Sequence, residues 1–328
     1  MKDNNYYMQL ALDLAKKGIY GIGANPMVGC VIVRNDEVVA SGYHQKFGEN
    51  HAEINALEKI DFNAQNCDIY ITLEPCSHFG NTPPCVDSVI KSNPKKVIIA
   101  SLDSNPKVDS VEKMKNAGIE VIFGILSEKE QILNRGFHKR MKAGLPFVSC
   151  KIACSLDGKI ALKNGESKWI TGELARADVQ KMRAINQALI SGSTTVLMDN
   201  PHFNVRDKNK PSPLKVIMDR SGKITDKSLN IFNGSEVIIS DELPLEILKL
   251  LGKKGVNNAL IEAGGKINNA FLQMGLIDEL IIYQAPIIMG EDAKNSFAAI
   301  VDTMNDKIIW RLISVEKIGD DIKMVYQK

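Results

Sequence analysis

"LEPCSHFGNTPPC", residues 73–85, holds two cysteines, Cys76 and Cys85, at the ends of one proline-rich loop. Its flanks decide how it is read. Upstream, "DIYITLEP" (68–75) has the β-branched and aromatic density of a strand and runs straight into the loop. Downstream, "PPC" sets Cys85 where a helix begins, since proline is tolerated in a helix's first turn. Strand, loop and helix in that order make the centre of an α/β unit.

The pattern extends both ways. Tyr7, Leu10, Ala11 and Leu14 follow the spacing of a helix with one buried face, and Gly18 closes it. "CVIVRNDEVVASGYH" (30–44) reads as a hairpin turning at Asn35–Asp36, and "HAEINALEKI" (51–60) as a helix. After the loop come helix 85–93, strand 95–102, helix 111–118, strand 119–124 and a last helix over 128–144. "AGLPF" (143–147) punctuates the chain, and a second α/β series begins. It has strands at 147–155, 187–192, 214–219, 235–240, 258–261 and 278–290, with helices at 176–185, 244–255 and 267–277. Two domains are expected, 1–145 and 146–328.

Composition excludes several classes. Lys plus Arg number 41 against 39 Asp plus Glu, a net charge of +2, which argues against a chain built to coat nucleic acid. No apolar run approaches the ~20 residues of a membrane span, and the first 18 residues read as an amphipathic helix rather than a signal peptide. A cytoplasmic location follows as the expectation. In a reducing compartment six cysteines are metal ligands, catalytic groups or core residues sooner than disulfides.

His51 and Glu53 precede Cys76 by about two dozen positions. One imidazole and two thiolates suit Zn²⁺ and leave a fourth position open for water. Bound zinc lowers that water's pKa toward neutrality. A carboxylate beside it, Glu53, can take the water's proton without being a ligand. Positions i and i+2 diverge by about 200° on a helix, so His51 and Glu53 belong at the entry of their helix. Taken alone, the two cysteines also fit a structural zinc clip completed by His78, which lies between them. Cys30, Cys67, Cys150 and Cys154 sit in apolar stretches and read as core.

In the second half no G-x-G-x-x-G follows a strand. "EAGG" (262–265) does join a strand to a helix, where backbone amides can approach a phosphate. Arg183 and Arg206 are either bidentate phosphate contacts or solvated surface charges.

His-x-Glu followed by Pro-Cys and a second Cys resembles the cytidine and nucleotide deaminase superfamily. The usual Pro-Cys-x-x-Cys is replaced here by eight residues between Cys76 and Cys85. With "NPMVGCVIV" (25–33) and "GYHQKFGENHAE" (42–53), that longer loop resembles the pyrimidine deaminases of riboflavin biosynthesis. "KIACSLDGKIA", "GESKWITGELARADVQKMRA", "TTVLMDNPHFNVR", "KVIMDR" and "IEAGGKINNAFL" resemble the reductase half of the bifunctional riboflavin deaminase-reductases. Together the two resemblances cover nearly the whole chain.

The resemblance implies a cytidine-deaminase-like three-layer domain followed by a dihydrofolate-reductase-like domain. It implies zinc on His51, Cys76 and Cys85, with Glu53 as proton shuttle and Asn25 and His44 near the base. It further implies Lys151, Ser167, Arg183, Phe203, Arg206 and Glu262 facing a phosphorylated pyrimidine. NADPH would be lined by Cys154, Trp169, Thr195, Asp199, Gly264, Gly265 and Lys266. Cys154 stands where a small apolar residue is expected, and Lys266 where many relatives carry a small hydroxyl residue. A dimer or tetramer is expected, without nucleic acid or membrane partners. The alternative is a nucleoside or tRNA deaminase with a C-terminal binding domain, or a non-catalytic zinc-stabilised scaffold. The long Cys-to-Cys loop and near-neutral charge weigh against a nucleic-acid deaminase.

Overall fold

The computed structural model describes residues 2–79, 83–299 and 301–328, so Gly80, Asn81 and Thr82 of the opening loop lie outside the described residues. The chain divides into two compact units, Met1–Ala143 and Gly144–Lys328.

The first unit comprises α1 (Asn4–Ala15), β1 (Gly29–Arg34), β2 (Glu37–Tyr43), α2 (Ala52–Leu57), β3 (Asp68–Leu73), α3 (Cys85–Lys91), β4 (Lys96–Ser101), α4 (Ser110–Asn116), β5 (Glu120–Phe123), α5 (Ser127–Leu133) and α6 (Arg135–Ala143). Its sheet has the order β2-β1-β3-β4-β5. β1 pairs antiparallel with β2 and β3, while β3, β4 and β5 run parallel. Side chains alternate across a strand, and here both faces are apolar. Ile32, Ile69, Ile71 and Ile99 pack against Ala56, Leu57, Val86, Val89 and Met114 of α2, α3 and α4. Val31, Val33, Tyr70 and Ile98 pack on the other side against Tyr7, Met8 and Leu12 of α1 and Leu133 of α5. The result is three layers, with the sheet in the middle. Asn35 and Asp36 take φ of 52° and 63°, the left-handed pair that a two-residue hairpin turn requires.

Two details depart from the sequence reading. The buried stripe of α1 is Tyr7, Met8, Ala11, Leu12 and Ala15, with Leu10 and Leu14 only half-buried at its flank. The expected single helix over 128–144 is two, broken at Asn134, whose φ of −106° and ψ of 23° are not helical.

The second unit comprises β6 (Phe147–Cys154), β7 (Lys159–Ala161), α7 (Glu173–Ile185), β8 (Ala188–Gly192), α8 (Ser193–Asp199), β9 (Leu214–Met218), β10 (Val237–Ser240), α9 (Pro244–Lys253), β11 (Asn258–Ile261), α10 (Gly265–Gln273), β12 (Glu279–Gln284), β13 (Lys294–Asn295), β14 (Arg311–Ile318) and β15 (Asp321–Gln327). The large sheet has the order β10-β9-β8-β11-β6-β12-β15-β14, and β13 pairs with β7. Strands β10 through β12 are parallel, and β15 and β14 close the sheet antiparallel. Val148, Cys150, Ile190, Val216 and Ile261 face Leu248, Leu251 and Phe271 of α9 and α10. The opposite face packs Leu260 and Tyr283 against Val179 and Met182 of α7, and Leu189 and Ile217 against Val196 of α8.

The strand expected over 278–290 stops at Gln284, two residues short of Pro286, which has no amide to donate to a ladder. The β14–β15 hairpin lies beyond the last strand that the sequence pattern marks. It turns at Gly319, whose φ of +64° favours glycine.

Candidate active sites

Strand β3 ends at Leu73 and carries Glu74, Pro75 and Cys76 out of the sheet at its carboxyl end. Pro84 caps α3, so Cys85 is the first helical residue. His51 caps α2 with extended backbone (φ −74°, ψ 169°), and Glu53 stands in that helix's first turn. This is how two residues only two apart reach one centre.

The three donors converge. His51 Nδ1 lies 3.1 Å from Cys85 Sγ and 3.6 Å from Cys76 Sγ, and all three ligand atoms fall within 4.8 Å of one another. A tetrahedral zinc with ~2.0–2.3 Å bonds sets its ligands about 3.5–3.8 Å apart, so the cluster fits that ion with shifts of tenths of an ångström. His78 does not join it. The Cys85 amide donates to Cys76 Sγ at 3.3 Å. The hydrogen bond from the Cys85 thiol, with His51 beside it, brings Cys76 down to about 4, while Cys85 is pushed far up by the same pairing and by burial. The pair therefore offers one thiolate readily, and a cation is what makes the second favourable.

Glu53 is 3% exposed, and its Oε2 has no hydrogen-bond partner among the described residues. Burial raises its carboxyl to about 7, with His51 opposing the shift. A carboxyl poised there can take a proton and return it. His44 Nδ1 meets the Asn50 carbonyl at 3.1 Å, and Asn25 Nδ2 lies 2.9 Å from His44 Nε2. A carbonyl on Nδ1 selects the tautomer protonated there, leaving Nε2 to accept from the Asn25 amide. Burial also lowers the His44 pKa, favouring that neutral ring. Its ring stands edge-on to His51 with centroids 5.1 Å apart.

Sequence reasoning missed three groups at this end of the sheet, the buried Glu74 and His138 and the half-buried Asp103. Glu74 accepts from Ser110 Oγ, the Val111 amide and the Asp103 amide, pinning the loop after β4. Asp103 is raised to about 6, mainly by burial and further by Glu74. His138 Nδ1 reaches Ser104 Oγ at 2.7 Å. The available signal was positional: ligands of parallel sheets gather beyond the carboxyl ends of the strands.

In the second unit Glu262, just after β11, takes a bidentate contact from Arg183 of α7, Nε–Oε1 2.6 Å and Nη2–Oε2 2.8 Å. The Arg183 guanidinium also lies 5.5 Å from the Phe203 ring centroid. Burial favours the neutral forms of this pair, but mutual attraction outweighs it, lowering Glu262 and raising Arg183. Lys151 of β6 is lowered by burial, with Glu262 opposing. Lys151, Arg183, Phe203 and Glu262 thus form one neighbourhood. The Arg206 side chain is exposed, and its backbone amide donates to Gln180.

Ser167 Oγ comes within 3.5 Å of Asp199 Oδ1 at the end of α8, where Thr195 is half-buried. Trp169 is 65% exposed, with the Arg176 guanidinium 4.6 Å from its ring centroid. Cys154 packs in the core cluster, and burial raises its thiol to about 11. Gly264 caps α10 with open space where a Cβ would stand, whereas a Cβ on Gly265 would lie 2.5 Å from the Asn295 carbonyl oxygen. With exposed Lys266 next in line, this helix N-terminus has the donors and positive potential that a dinucleotide's phosphates need.

These features define a chain with a zinc-deaminase centre and a separate α/β unit built to hold a phosphorylated cofactor. Residues 1–101 match the cytidine and deoxycytidylate deaminase zinc-binding region, and residues 146–324 match the RibD C-terminal domain. The riboflavin biosynthesis protein RibD of Haemophilus influenzae is 40% identical across 98% of this chain and 96% of its own. That of Escherichia coli is 37% identical across 89% and 90%. The solved structure of Acinetobacter baumannii RibD, form 1, superposes with a TM-score of 0.93 at 40% identity, covering 98% of both chains. A Thermotoga maritima diaminohydroxyphosphoribosylaminopyrimidine deaminase/5-amino-6-(5-phosphoribosylamino)uracil reductase gives 0.92 at 34% identity, also covering 98% of both. The chain belongs to the RibD family.

Proposed function

We propose that this chain is a bifunctional enzyme of riboflavin biosynthesis. Its first unit deaminates 2,5-diamino-6-(5-phosphoribosylamino)pyrimidin-4-one, and its second reduces the ribosyl group of the product to a ribityl chain with NADPH. The observation that carries the reading is the convergence of His51, Cys76 and Cys85 beside a Glu53 oxygen that has no partner among the described residues, in a chain that continues into a RibD C-terminal domain.

His51, Cys76 and Cys85 would hold zinc, which when bound supplies an acidified water at neutral pH. Glu53 is placed to carry two protons in turn, one from the attacking water to the ring nitrogen and the second from the hydroxyl so added to the departing amine. Asn25 and His44 face the base, with His44 kept neutral as an acceptor. In the second unit the buried Arg183–Glu262 pair and Lys151 fix the phosphoribosyl portion. Ser167, Phe203 and Arg206 complete that face. Gly264, Gly265 and Lys266 receive the cofactor phosphates, and Cys154, Trp169, Thr195 and Asp199 line the rest of its site. NADPH supplies the hydride; the protein's part is to align donor and acceptor carbons.

No helix among the described residues is long and apolar enough to cross a membrane. We place the enzyme in the cytoplasm, and its near-neutral charge supports small-molecule substrates rather than nucleic acid. Leu312 and Val315, 50% and 59% exposed on the edge strand β14, support assembly into a homo-oligomer.

Mass spectrometry of the phosphoribosylaminopyrimidine with zinc-loaded protein tests the reading. We expect exchange of an amine for oxygen without NADPH, then gain of two hydrogens with it. Glu53→Gln should keep zinc and lose about 10²–10⁴-fold in deamination. A zinc-replete wild-type chain that alters neither group would overturn the assignment.

A further inference from the structure

Behind the deaminase centre, α5 and α6 bury a string of polar side chains on one face. Glu130 is fully buried, Asn134 is 3% exposed and His138 7%. Asn134 Nδ2 donates to Glu130 Oε1 at 2.8 Å, and His138 Nε2 lies 3.0 Å from Glu130 Oε2. A carboxylate at Nε2 selects the tautomer protonated there, so Nδ1 accepts from Ser104 Oγ at 2.7 Å.

The outward bonds of this string go to two loops. Asn134 Oδ1 accepts from the Met27 amide at 2.8 Å, and its Nδ2 donates to the Met27 carbonyl at 2.9 Å. Arg140, further along α6, donates from Nη2 to the Ala24 carbonyl at 2.8 Å. Asn25, which holds His44, lies between these anchor points. Ser104 follows the half-buried Asp103, whose amide is pinned to Glu74. The break between α5 and α6 falls at Asn134, the residue that grips the Met27 backbone on both sides.

Burying a carboxylate and an imidazole costs desolvation that an apolar helix face would avoid, so stability alone is a poor reason for the string. We propose that Asn134 and His138, braced by Glu130, are positioning residues for deamination. They set the Asn25 loop and the Asp103–Ser104 loop at a fixed separation beside the His51–Cys76–Cys85 cluster. The inference rests on the deaminase reading above.

The test uses the full zinc-loaded chain with Ser104→Ala, Asn134→Ala, His138→Ala and His138→Gln. Each variant is assayed for kcat and KM of deamination, bound zinc, and reduction of supplied deaminated intermediate. Loops displaced by up to an ångström should raise KM and lower kcat together, with kcat/KM down about tenfold or more. Zinc content and reduction should stay at wild-type levels. His138→Gln, whose amide can still bridge Ser104 and Glu130, should recover part of the loss. Deamination within about twofold of wild type in zinc-replete Ser104→Ala and Asn134→Ala overturns the proposal. If His138→Ala loses zinc or fails to fold, those two variants decide, because they leave the His138–Glu130 pair in place. A wild-type chain that does not deaminate removes the functional reading and this inference with it.

Discussion

Lys215 is the one fully buried lysine among the described residues, and no carboxylate pairs with it. Its Nζ donates to the carbonyls of Ile231 and Asn233, both at 2.8 Å, tying β9 to the segment that follows it. Burial lowers the amine from 10.5 to about 8. The unfolded chain therefore binds more protons between about pH 8 and 10.5, and stability contributed by this residue rises with pH across that window. Below about 8 both states are protonated and the contribution is flat. Lys215→Met should remove the slope and cost about 1–3 kcal/mol at pH 7, because two buried carbonyls lose their donor. Urea unfolding of both proteins at pH 7, 8 and 10 checks it; parallel pH dependences would refute the assignment. The metal donors are of another kind. Their residue types and order are plain in the sequence, whereas the carbonyls that hold Lys215, and the Met27 and Ser104 partners of Asn134 and His138, come from other elements and leave no local pattern.

At the scale of elements, the strand-to-helix turn before α10 separates two glycines with different jobs. Gly265 lies against the Asn295 carbonyl, so Gly265→Ala must push backbone aside and should lower the thermal stability of the chain by a few degrees, about 1–2 kcal/mol. Gly264 has open space, so Gly264→Ala should leave stability unchanged but raise the KM for NADPH, since the added methyl occupies the face proposed for the phosphates. Thermal melts and reductase kinetics separate them; equal effects would refute the distinction. Periodicity located most helices and parallel strands because each buries a face of its own. It ran α5 and α6 together because the hydrogen-bond pattern crosses the break, with His138 N still donating to Asn134 O. It passed over β14, whose residues through Lys317 are exposed and so lack the apolar alternation of a half-buried strand.

For the molecule as a whole, each unit has its own sheet and its own buried clusters. Chelating zinc from the full chain should abolish deamination while reduction of supplied deaminated intermediate persists within about twofold. Parallel loss of both activities would show that the second unit depends on the metal. The sequence by itself determined the α/β character of both halves, the two-part organisation and the His-x-Glu/Cys/Cys donor set. Those follow from short-range periodicity and from residue chemistry that few ions satisfy. Only the tertiary structure decided that Arg183 is committed to Glu262, that burial lowers the His44 pKa while Asn25 and Asn50 hold its ring, and that Glu53 is buried with one oxygen unpartnered among the described residues. Such facts depend on which distant segments meet and on how much water they exclude. Burial and pairing, not residue identity, set the protonation and reach of each group.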